Sequence, residues 1–210
     1  MDSRTLHKLV CEDLAHRFGP EKLFADLNFT VEQPGSVCVA GANGSGKSTL
    51  LRILVGLLRP ARGRVCLMAG ERELPVREAR RYLGLVAPDL HLYGELTAME
   101  NLEFFGRLRG VAVTPEMLMT KLDGVGLADH AHKQSRQLSS GQRQRLKYLV
   151  AMLHRPPLLL LDEPTANLDD AGRHFVQEVV DRQRREGILI VATNETEEYA
   201  FGDQVVRLGP

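Results

Sequence analysis

A short glycine-rich segment has the composition and spacing of a phosphate-binding loop. Gly41-Ala-Asn-Gly-Ser-Gly-Lys47-Ser48 fits the pattern G-x-x-x-x-G-K-S/T. Glycines let successive backbone N–H groups converge on phosphate oxygens without intervening side chains. Lys47 adds a positive charge for the terminal phosphates, and the Ser48 hydroxyl is placed to bind Mg²⁺. The pattern predicts nucleotide binding by Gly41, Ala42, Asn43, Gly44, Ser45, Gly46, Lys47, Ser48 and Thr49.

Two adjacent acids, Asp162 and Glu163, follow the apolar run 158–161. Ligands of parallel sheets gather at the carboxyl ends of the strands, where the glycine-rich loop is also expected. We expect Asp162 to bind Mg²⁺, directly or through water, and Glu163 to polarise an attacking water. For these acids alone, a strand that ends in a solvated acidic turn is the alternative. The loop upstream favours the catalytic interpretation.

A third motif precedes the acid pair and opens a predicted helix. In Leu138-Ser-Ser-Gly-Gln142, a serine N-cap is followed three residues later by glutamine, which is a capping box. Alone it indicates a plain N-capped helix, whose first N–H groups favour an anion. In this order with the other two motifs, the chain resembles the ABC (ATP-binding cassette) ATPase family, whose signature begins LSGGQ. Ser140 stands where glycine is usual.

The resemblance covers essentially the whole chain and implies ATP and Mg²⁺ as ligands. It implies two ATP molecules sandwiched between two ATPase chains in a homodimer. Phe18 stands where the family stacks an aromatic ring on adenine, although a core position is the alternative. Ala166-Asn-Leu-Asp169 resembles the loop that contacts the partner subunit. The residues expected to meet the nucleotide of the other subunit are Ser139, Ser140, Gly141, Gln142 and Asp169.

Two positions depart from the family. Asp89 stands where a glutamine usually touches Mg²⁺ and the water; an ionised aspartate can bind the metal but cannot donate a hydrogen bond. Asn194 stands where histidine is usual, and its amide can donate to phosphate without a positive charge. With Glu163, Asn194 and Asp89 as catalytic residues, we expect active but slowed hydrolysis. The alternative is that both are ordinary variants without kinetic cost.

The elements that must position these residues follow from the hydrophobic pattern. Continuous apolar runs at Leu158–Asp162 and Ile188–Thr193 are typical of strands buried on both faces. Helix-start signals at Thr97, Thr114 and Ser139 indicate a mainly helical middle. The fold class is therefore α/β: a P-loop NTPase core with a mainly parallel sheet, an N-terminal antiparallel β region and an inserted helical subdomain. A single domain is expected, with 1–88 and 157–210 as the nucleotide-binding core and 89–156 as the helical subdomain. Further predicted elements are strands Lys8–Asp13, Leu27–Glu32, Ser36–Ala40 and Arg64–Met68 and helices Lys47–Val55 and Ala171–Glu186.

The amino-acid composition narrows the choice of binding partners and cellular location. The 210 residues carry 27 basic and 27 acidic side chains, so no net charge draws the surface to nucleic acid. Cys11, Cys38 and Cys66 are expected to be buried free thiols. The histidines show no metal-ligand framework and are expected at the surface. No run is long and apolar enough for a membrane span, and the first residues do not resemble a signal peptide. We expect a cytoplasmic chain, peripheral on the inner membrane through a separate integral membrane permease subunit.

The leading hypothesis is the subunit that binds and hydrolyses ATP and powers an ABC-type transporter through ATP-driven dimer closure. A soluble ABC ATPase of repair, translation or iron–sulfur assembly is one alternative, although such members usually carry long insertions or tandem cassettes. A catalytically weak half of a heterodimer is the other; Asp89 and Asn194 motivate it, and Glu163 argues against it. The compact length and segment 95–102 are similar to the haem-exporter ATPases of cytochrome c maturation.

Overall fold

The computed structural model describes residues 6–166 and 168–209. The strands are β1 Leu6–Phe18, β2 Glu21–Glu32, β3 Gly35–Ala40, β4 Arg62–Ala69, β5 Arg72–Leu74, β6 Leu83–Val86, β7 Leu158–Asp162, β8 Ile188–Thr193 and β9 Gln204–Arg207. The α-helices are α1 Lys47–Leu54, α2 Val76–Ala79, α3 Ala98–Leu108, α4 Pro115–Asp123, α5 Ser140–Met152 and α6 Asp170–Glu186.

The first compact unit comprises the described residues up to Ala87, Pro157–Pro164 and Val179 onward. It contains a five-stranded parallel sheet in the order β6-β7-β8-β3-β9 and a four-stranded antiparallel sheet in the order β2-β1-β4-β5. Every residue of β7 and β8 is buried, as continuous apolar runs require in a parallel sheet covered on both faces. The expected fold class is confirmed.

The register of the parallel sheet brings the functional segments to one edge. Ala40 at the end of β3 pairs with Thr193 at the end of β8, and Asp162 at the end of β7 pairs with Ala192. The glycine-rich loop, the acid pair and Asn194 each follow one of these strands. Neighbouring strands of a sheet lie about 4.8 Å apart, so three consecutive strand ends form one short row.

Several strands are longer than the sequence predicts, and β5, β6 and β9 are not among the predicted ones. The register between β1 and β2 shifts near Cys11 and Leu14, and Asp13 and Asp26 have positive φ angles of 53° and 52°. Such bulges insert residues that break the alternation of inward and outward side chains. The alternating pattern therefore marks only the regular half of each strand.

The second unit comprises Pro88–Pro156 and Thr165–Glu178. The described residues of 165–178 thus lie with the helical unit, whereas the sequence pattern places them in the core. Both predicted capping boxes form: the side chains of Thr97 and Ser139 accept from the backbone N–H three residues on. Thr114 caps α4 with Pro115 at its first position, as expected. An apolar cluster that includes Leu102, Leu122 and Leu146 joins α3, α4 and α5.

The three cysteines are buried and free, as expected. The expectation that the histidines lie at the surface is wrong for His16, which is 8% exposed. His16 follows the inward phase of β1, since Leu14, two residues earlier, is also buried. Among the described residues, no helix is long and apolar enough to cross a membrane.

Candidate nucleotide site

The glycine-rich loop runs from the end of β3 into the first turn of α1. Gly46 is the N-cap of α1 with φ of 98°, a left-handed conformation that favours glycine. A Cβ atom at Gly46 would lie 3.1 Å from Leu23 Cβ and from Phe24 Cδ1. Both the dihedral angle and the close approach of β2 therefore require glycine. The result is a helix N-terminus, whose first N–H groups have no acceptor within the helix itself and can bind an anion.

Lys47 folds back over the loop. Its Nζ donates to the carbonyl oxygens of Gly41 at 2.9 Å and Ala42 at 3.2 Å. The same Nζ lies 3.1 Å from Oε1 of Glu163, and only 6% of the lysine side chain is exposed. These contacts hold the ammonium group at the loop, where terminal phosphates are expected.

Asp162 and Glu163 lie at the end of β7 in different environments. Asp162 is buried, with 5% exposure. Glu163 adopts a positive φ of 47°, which is uncommon for a residue with a side chain and is typical of functional turns. Its N–H donates to Ala192 O at 2.8 Å, and its Oε2 accepts from the Asn194 N–H at 3.4 Å. Glu163 is thus anchored to the end of the neighbouring strand β8.

The donor set of the loop fits a nucleotide with Mg²⁺. The Ser45 Oγ is buried and has no hydrogen-bond partner among the described residues, so this donor can serve a bound anion. Ser48 lies in the first turn of α1, and the Asp162 carboxylate lies at the same edge of the sheet. Hydroxyl and carboxylate oxygens are ligands that Mg²⁺ prefers. Ser48 and Asp162 are the residues that could hold the ion.

Phe18 ends β1, and its ring is 54% exposed. This exposure does not fit the alternative of a core position. Gly19 and Pro20 form the turn to β2, since Phe18 pairs with Glu21. The Phe18 ring meets the buried His16 ring at a centroid distance of 5.0 Å and an angle of 82°. One end of the antiparallel sheet therefore presents a flat aromatic ring.

In the second unit, the signature segment forms the N-terminus of α5. Ser139 Oγ accepts from Gln142 N at 3.2 Å, and Gln142 Oε1 accepts from Ser139 N at 2.9 Å. The Ser139 hydroxyl can still donate its proton to another acceptor. A Cβ at Gly141 would meet no atom within 4 Å, so the space beside it is open. Ser140 is exposed at the first helical position, where its N–H points away from the helix.

Asp169 lies beside the signature segment within the same unit. A cavity of about 320 Å³ is lined by residues that include Ser139, Gly141 and Asp169. The Asp169 Oδ1 accepts from Gly172 N at 2.8 Å, so this carboxylate caps the start of α6. Of the expected partner-contacting loop, Asn167 lies outside the described residues.

Asp89, the position of the first departure, belongs to the second unit and is exposed. Its near neighbour is Lys147, whose Nζ donates to Pro88 O at 3.0 Å. Burial lowers the pKa of Lys147, and the charge of Asp89 opposes that shift. Within its unit, Asp89 therefore acts electrostatically on Lys147.

Asn194, the position of the second departure, is exposed directly after β8. Its backbone contacts Glu163, and Asn194 is one of the residues that line a cavity of about 340 Å³ beside the loop. Gly41, Tyr199 and Arg207 also line this cavity. Asn194 thus lies beside the loop, with its backbone N–H on Glu163.

The support that β2 gives to the loop is not predicted by the sequence pattern. Leu23 and Phe24 pack under Gly46, but they lie in the half of β2 that the pattern did not predict. The alternation of buried Phe24, Leu27, Phe29 and Val31 is interrupted at Asp26. The apolar residues on both sides of Asp26 are the sequence signal that indicates the full length of β2.

Several known proteins are similar to this chain over nearly its whole length. The family model described as ABC transporter matches residues 24–166. The cytochrome c biogenesis ATP-binding export protein CcmA of Pseudomonas aeruginosa is 36% identical over 197 residues, covering 94% of this chain and 97% of that protein. The protein of the same name from Brucella abortus (strain 2308) is 37% identical over 188 residues, covering 89% and 85%. A dimeric post-hydrolysis ATP-binding cassette bound to ADP and Pi has a TM-score of 0.80 at 26% identity, covering 95% of this chain and 94% of that one.

Proposed function

Because the chain belongs to the ABC transporter family and is an ATP-binding ATPase subunit, we propose that two copies close around two Mg²⁺-bound ATP molecules to drive a separate membrane permease. The observation that carries this proposal is the contact of Lys47 with both the loop and Glu163. In the other unit, Ser139 is the N-cap of α5, and this helix N-terminus can bind a second anion. A role outside transport, or as a weak half-site, is not favoured, because the relatives are described as export proteins.

Each of the site residues in the first unit has a distinct part in hydrolysis. The loop N–H groups and Lys47 bind the β- and γ-phosphates, and ATP binding replaces the contact between Lys47 and Glu163. Glu163 then orients a water molecule and accepts its proton as the water attacks the γ-phosphorus; the bond from that phosphorus to the bridging β–γ oxygen breaks, and ADP leaves. The Asn194 amide donates to a γ-phosphate oxygen. Mg²⁺, held by Ser48 and Asp162, would neutralise the charge that develops on the phosphates.

Dimer closure completes the site from the second chain. Ser139 and the first N–H groups of its α5 donate to the γ-phosphate bound by the opposite loop, where the helix N-terminus favours negative charge. ATP stabilises the closed state because it binds that state better than the open one. Loss of the γ-phosphate removes this difference, so hydrolysis reopens the dimer.

Hydrolysis across a range of protein concentrations tests the shared site. We expect the rate per chain to rise with concentration, because two chains build each site. Ser139→Ala and Lys47→Ala chains should each be inactive alone. Mixed, they form heterodimers with one intact site, and activity should return to roughly a quarter of wild type for random C2 pairing. A mixture that stays inactive while wild type is active would contradict a site built from two chains.

An exposed aromatic cluster in the second unit supports a membrane partner. Tyr93, Phe104 and Leu108 are 51%, 40% and 69% exposed. The Tyr93 and Phe104 rings meet at 4.9 Å, and Phe105 contacts both. Exposed clusters rich in aromatic residues are typical of protein interfaces. We assign this face to the permease, which would hold the chain at the cytoplasmic face of the inner membrane.

Copurification from detergent-solubilised membranes tests this surface. Wild-type chain should recover an integral membrane protein, and the pair Tyr93→Ser and Phe104→Ser should lose it. Val205→Ser is the matched control, since Val205 is also exposed, at 41%, but lies on β9. Equal recovery by the double variant and the control would overturn the assignment of this face.

The relatives' names suggest the process that this subunit serves. The Pseudomonas aeruginosa and Brucella abortus proteins are both named for export in cytochrome c biogenesis, so we assign this chain to the same export step. Cells in which Glu163→Gln replaces the wild-type chain should then lack mature c-type cytochromes, measured by a covalent-haem stain. Normal cytochrome levels, together with copurification of a permease unrelated to cytochrome assembly, would overturn this assignment.

A further inference from the structure

His16 is a buried polar side chain that makes no hydrogen bond to any residue that the structure describes. It is 8% exposed, and neither ring nitrogen has a hydrogen-bond partner among the described residues. Burying polar atoms without hydrogen bonds is unfavourable compared with burying an apolar side chain of similar size. Packing alone would favour leucine at this inward position of β1. The contacts of the ring must therefore supply what leucine could not.

These contacts form a row from the hairpin tip to the phosphate-binding loop. His16 meets the exposed Phe18 ring edge to face, with centroids 5.0 Å apart, and lies 6.5 Å from the Phe24 ring in a tilted arrangement. Phe24 pairs with His16 across the β1–β2 ladder and packs against the Gly46 turn. One buried ring thus lies between the Phe18 ring and the residue that supports the loop.

Edge-to-face contact depends on ring chemistry. The edge of an aromatic ring is positive and its face is negative, so two rings at about 90° attract each other. Leucine fills a similar volume but has no aromatic ring and cannot form this contact. The contact therefore favours one orientation of the Phe18 ring, and Phe18 remains 54% exposed.

We propose that His16 is a positioning residue for nucleoside binding: it fixes the Phe18 ring for stacking on adenine and, through Phe24, sets that ring against the Gly46 turn. This inference rests on the proposed function and on the stacking of the base on Phe18 that the family resemblance implies. A ring that is already in its bound rotamer loses no further conformational entropy when ATP binds. The distance between the Phe18 ring, on which the base stacks, and the phosphate-binding loop is then fixed by the packed rings of His16 and Phe24.

Three substitutions distinguish the effects of the His16 ring, of its nitrogen atoms and of the Phe18 ring. His16→Leu removes the ring, His16→Phe keeps a ring and removes the nitrogens, and Phe18→Ala removes the platform. We expect His16→Leu to raise the KM for ATP about 2- to 10-fold with kcat unchanged, and Phe18→Ala to raise it further. His16→Phe should remain within about twofold of wild type. Inhibition by inorganic tripolyphosphate, which lacks a base, should be the same in all variants.

The double variant His16→Leu with Phe18→Ala tests the coupling. Its KM should equal that of Phe18→Ala, because His16 acts only through the Phe18 ring. If His16→Leu leaves the KM unchanged while Phe18→Ala raises it, the inference is overturned and stacking stands. If Phe18→Ala has no effect, stacking itself is overturned. Weaker tripolyphosphate binding in His16→Leu would mean a general structural role and also overturn the inference. If His16→Leu does not fold, His16→Gln, which also lacks a ring, makes the same comparison.

Discussion

Lys47 Nζ and Glu163 Oε1 lie 3.1 Å apart, which joins the loop after β3 to the turn after β7 by an ion pair. The lysine is 6% exposed and the glutamate 22%. A buried ammonium group needs compensation for its lost hydration, and the carboxylate provides it. ATP phosphates carry the same kind of charge, so nucleotide and Glu163 compete for Lys47.

Removing the charge of Glu163 should separate binding from hydrolysis. We expect Glu163→Gln to lower kcat by about 10²- to 10⁴-fold, the usual contribution of a general base. ATP should bind more tightly, because Lys47 no longer has a competing carboxylate. Single-turnover kinetics and equilibrium binding of labelled ATP measure the two effects. Glu71→Gln is the matched control, since it removes an exposed carboxylate from the same unit. Weaker ATP binding by Glu163→Gln would contradict the competition.

A positive charge at position 194 should speed hydrolysis. The Asn194 backbone N lies 3.4 Å from Glu163 Oε2, and Asn194 is among the residues that line the cavity beside the loop. A charged donor forms a stronger hydrogen bond to phosphate than an amide does, by about 1 kcal/mol. We expect Asn194→His to raise kcat roughly fivefold below pH 7 and Asn194→Ala to lower it. Steady-state turnover measures both. A value for Asn194→His no higher than wild type would count against a slowed enzyme.

Asp203 should stabilise the core in a pH-dependent way. Its Oδ2 accepts from the Ser36 N–H and hydroxyl at 2.8 and 2.7 Å, and Arg184 lies 2.7 Å from Oδ1. The Ser36 hydrogen bond is the main reason that the pKa of Asp203 lies below its ordinary value of 3.8; desolvation opposes the shift and Arg184 adds to it.

Because the folded-state pKa is lowered, this stabilisation is present above the unfolded pKa and is lost as pH falls through the folded one. Half of the side chain is exposed, so we expect Asp203→Asn to cost only about 1 kcal/mol at neutral pH. Urea unfolding should show that the difference from wild type shrinks at about pH 3. A difference that is constant with pH would contradict this account.

The cysteine thiols should be unreactive in the folded chain. Burial raises the pKa of Cys38 to about 11, and burial also raises those of Cys11 and Cys66. Only the thiolate reacts with a disulfide reagent, so a raised pKa and burial act in the same direction. We expect no rapid reaction with Ellman's reagent at pH 8 and full reaction of the three thiols in denaturant. Rapid reaction of the native chain with the reagent would show that a strand that carries one of the three cysteines opens readily.

The sequence by itself determined the motifs, their order and the fold class. Glycines and Lys47 identify the loop because phosphate binding needs those residue types in consecutive positions. The apolar runs of β7 and β8 identify buried parallel strands because no polar residue interrupts them. Capping boxes at Thr97 and Ser139 were readable because each depends on residues only three positions apart.

Only the tertiary structure decided which distant residues meet. The pairing of Lys47 with Glu163, the packing of Phe24 under Gly46 and the burial of His16 join segments that are far apart in the chain or separated by a bulge. Local patterns report neighbours along the chain, whereas these contacts depend on strand order, register and bulges. For the same reason the sequence predicts a surface position for His16, although the fold buries it between two aromatic rings.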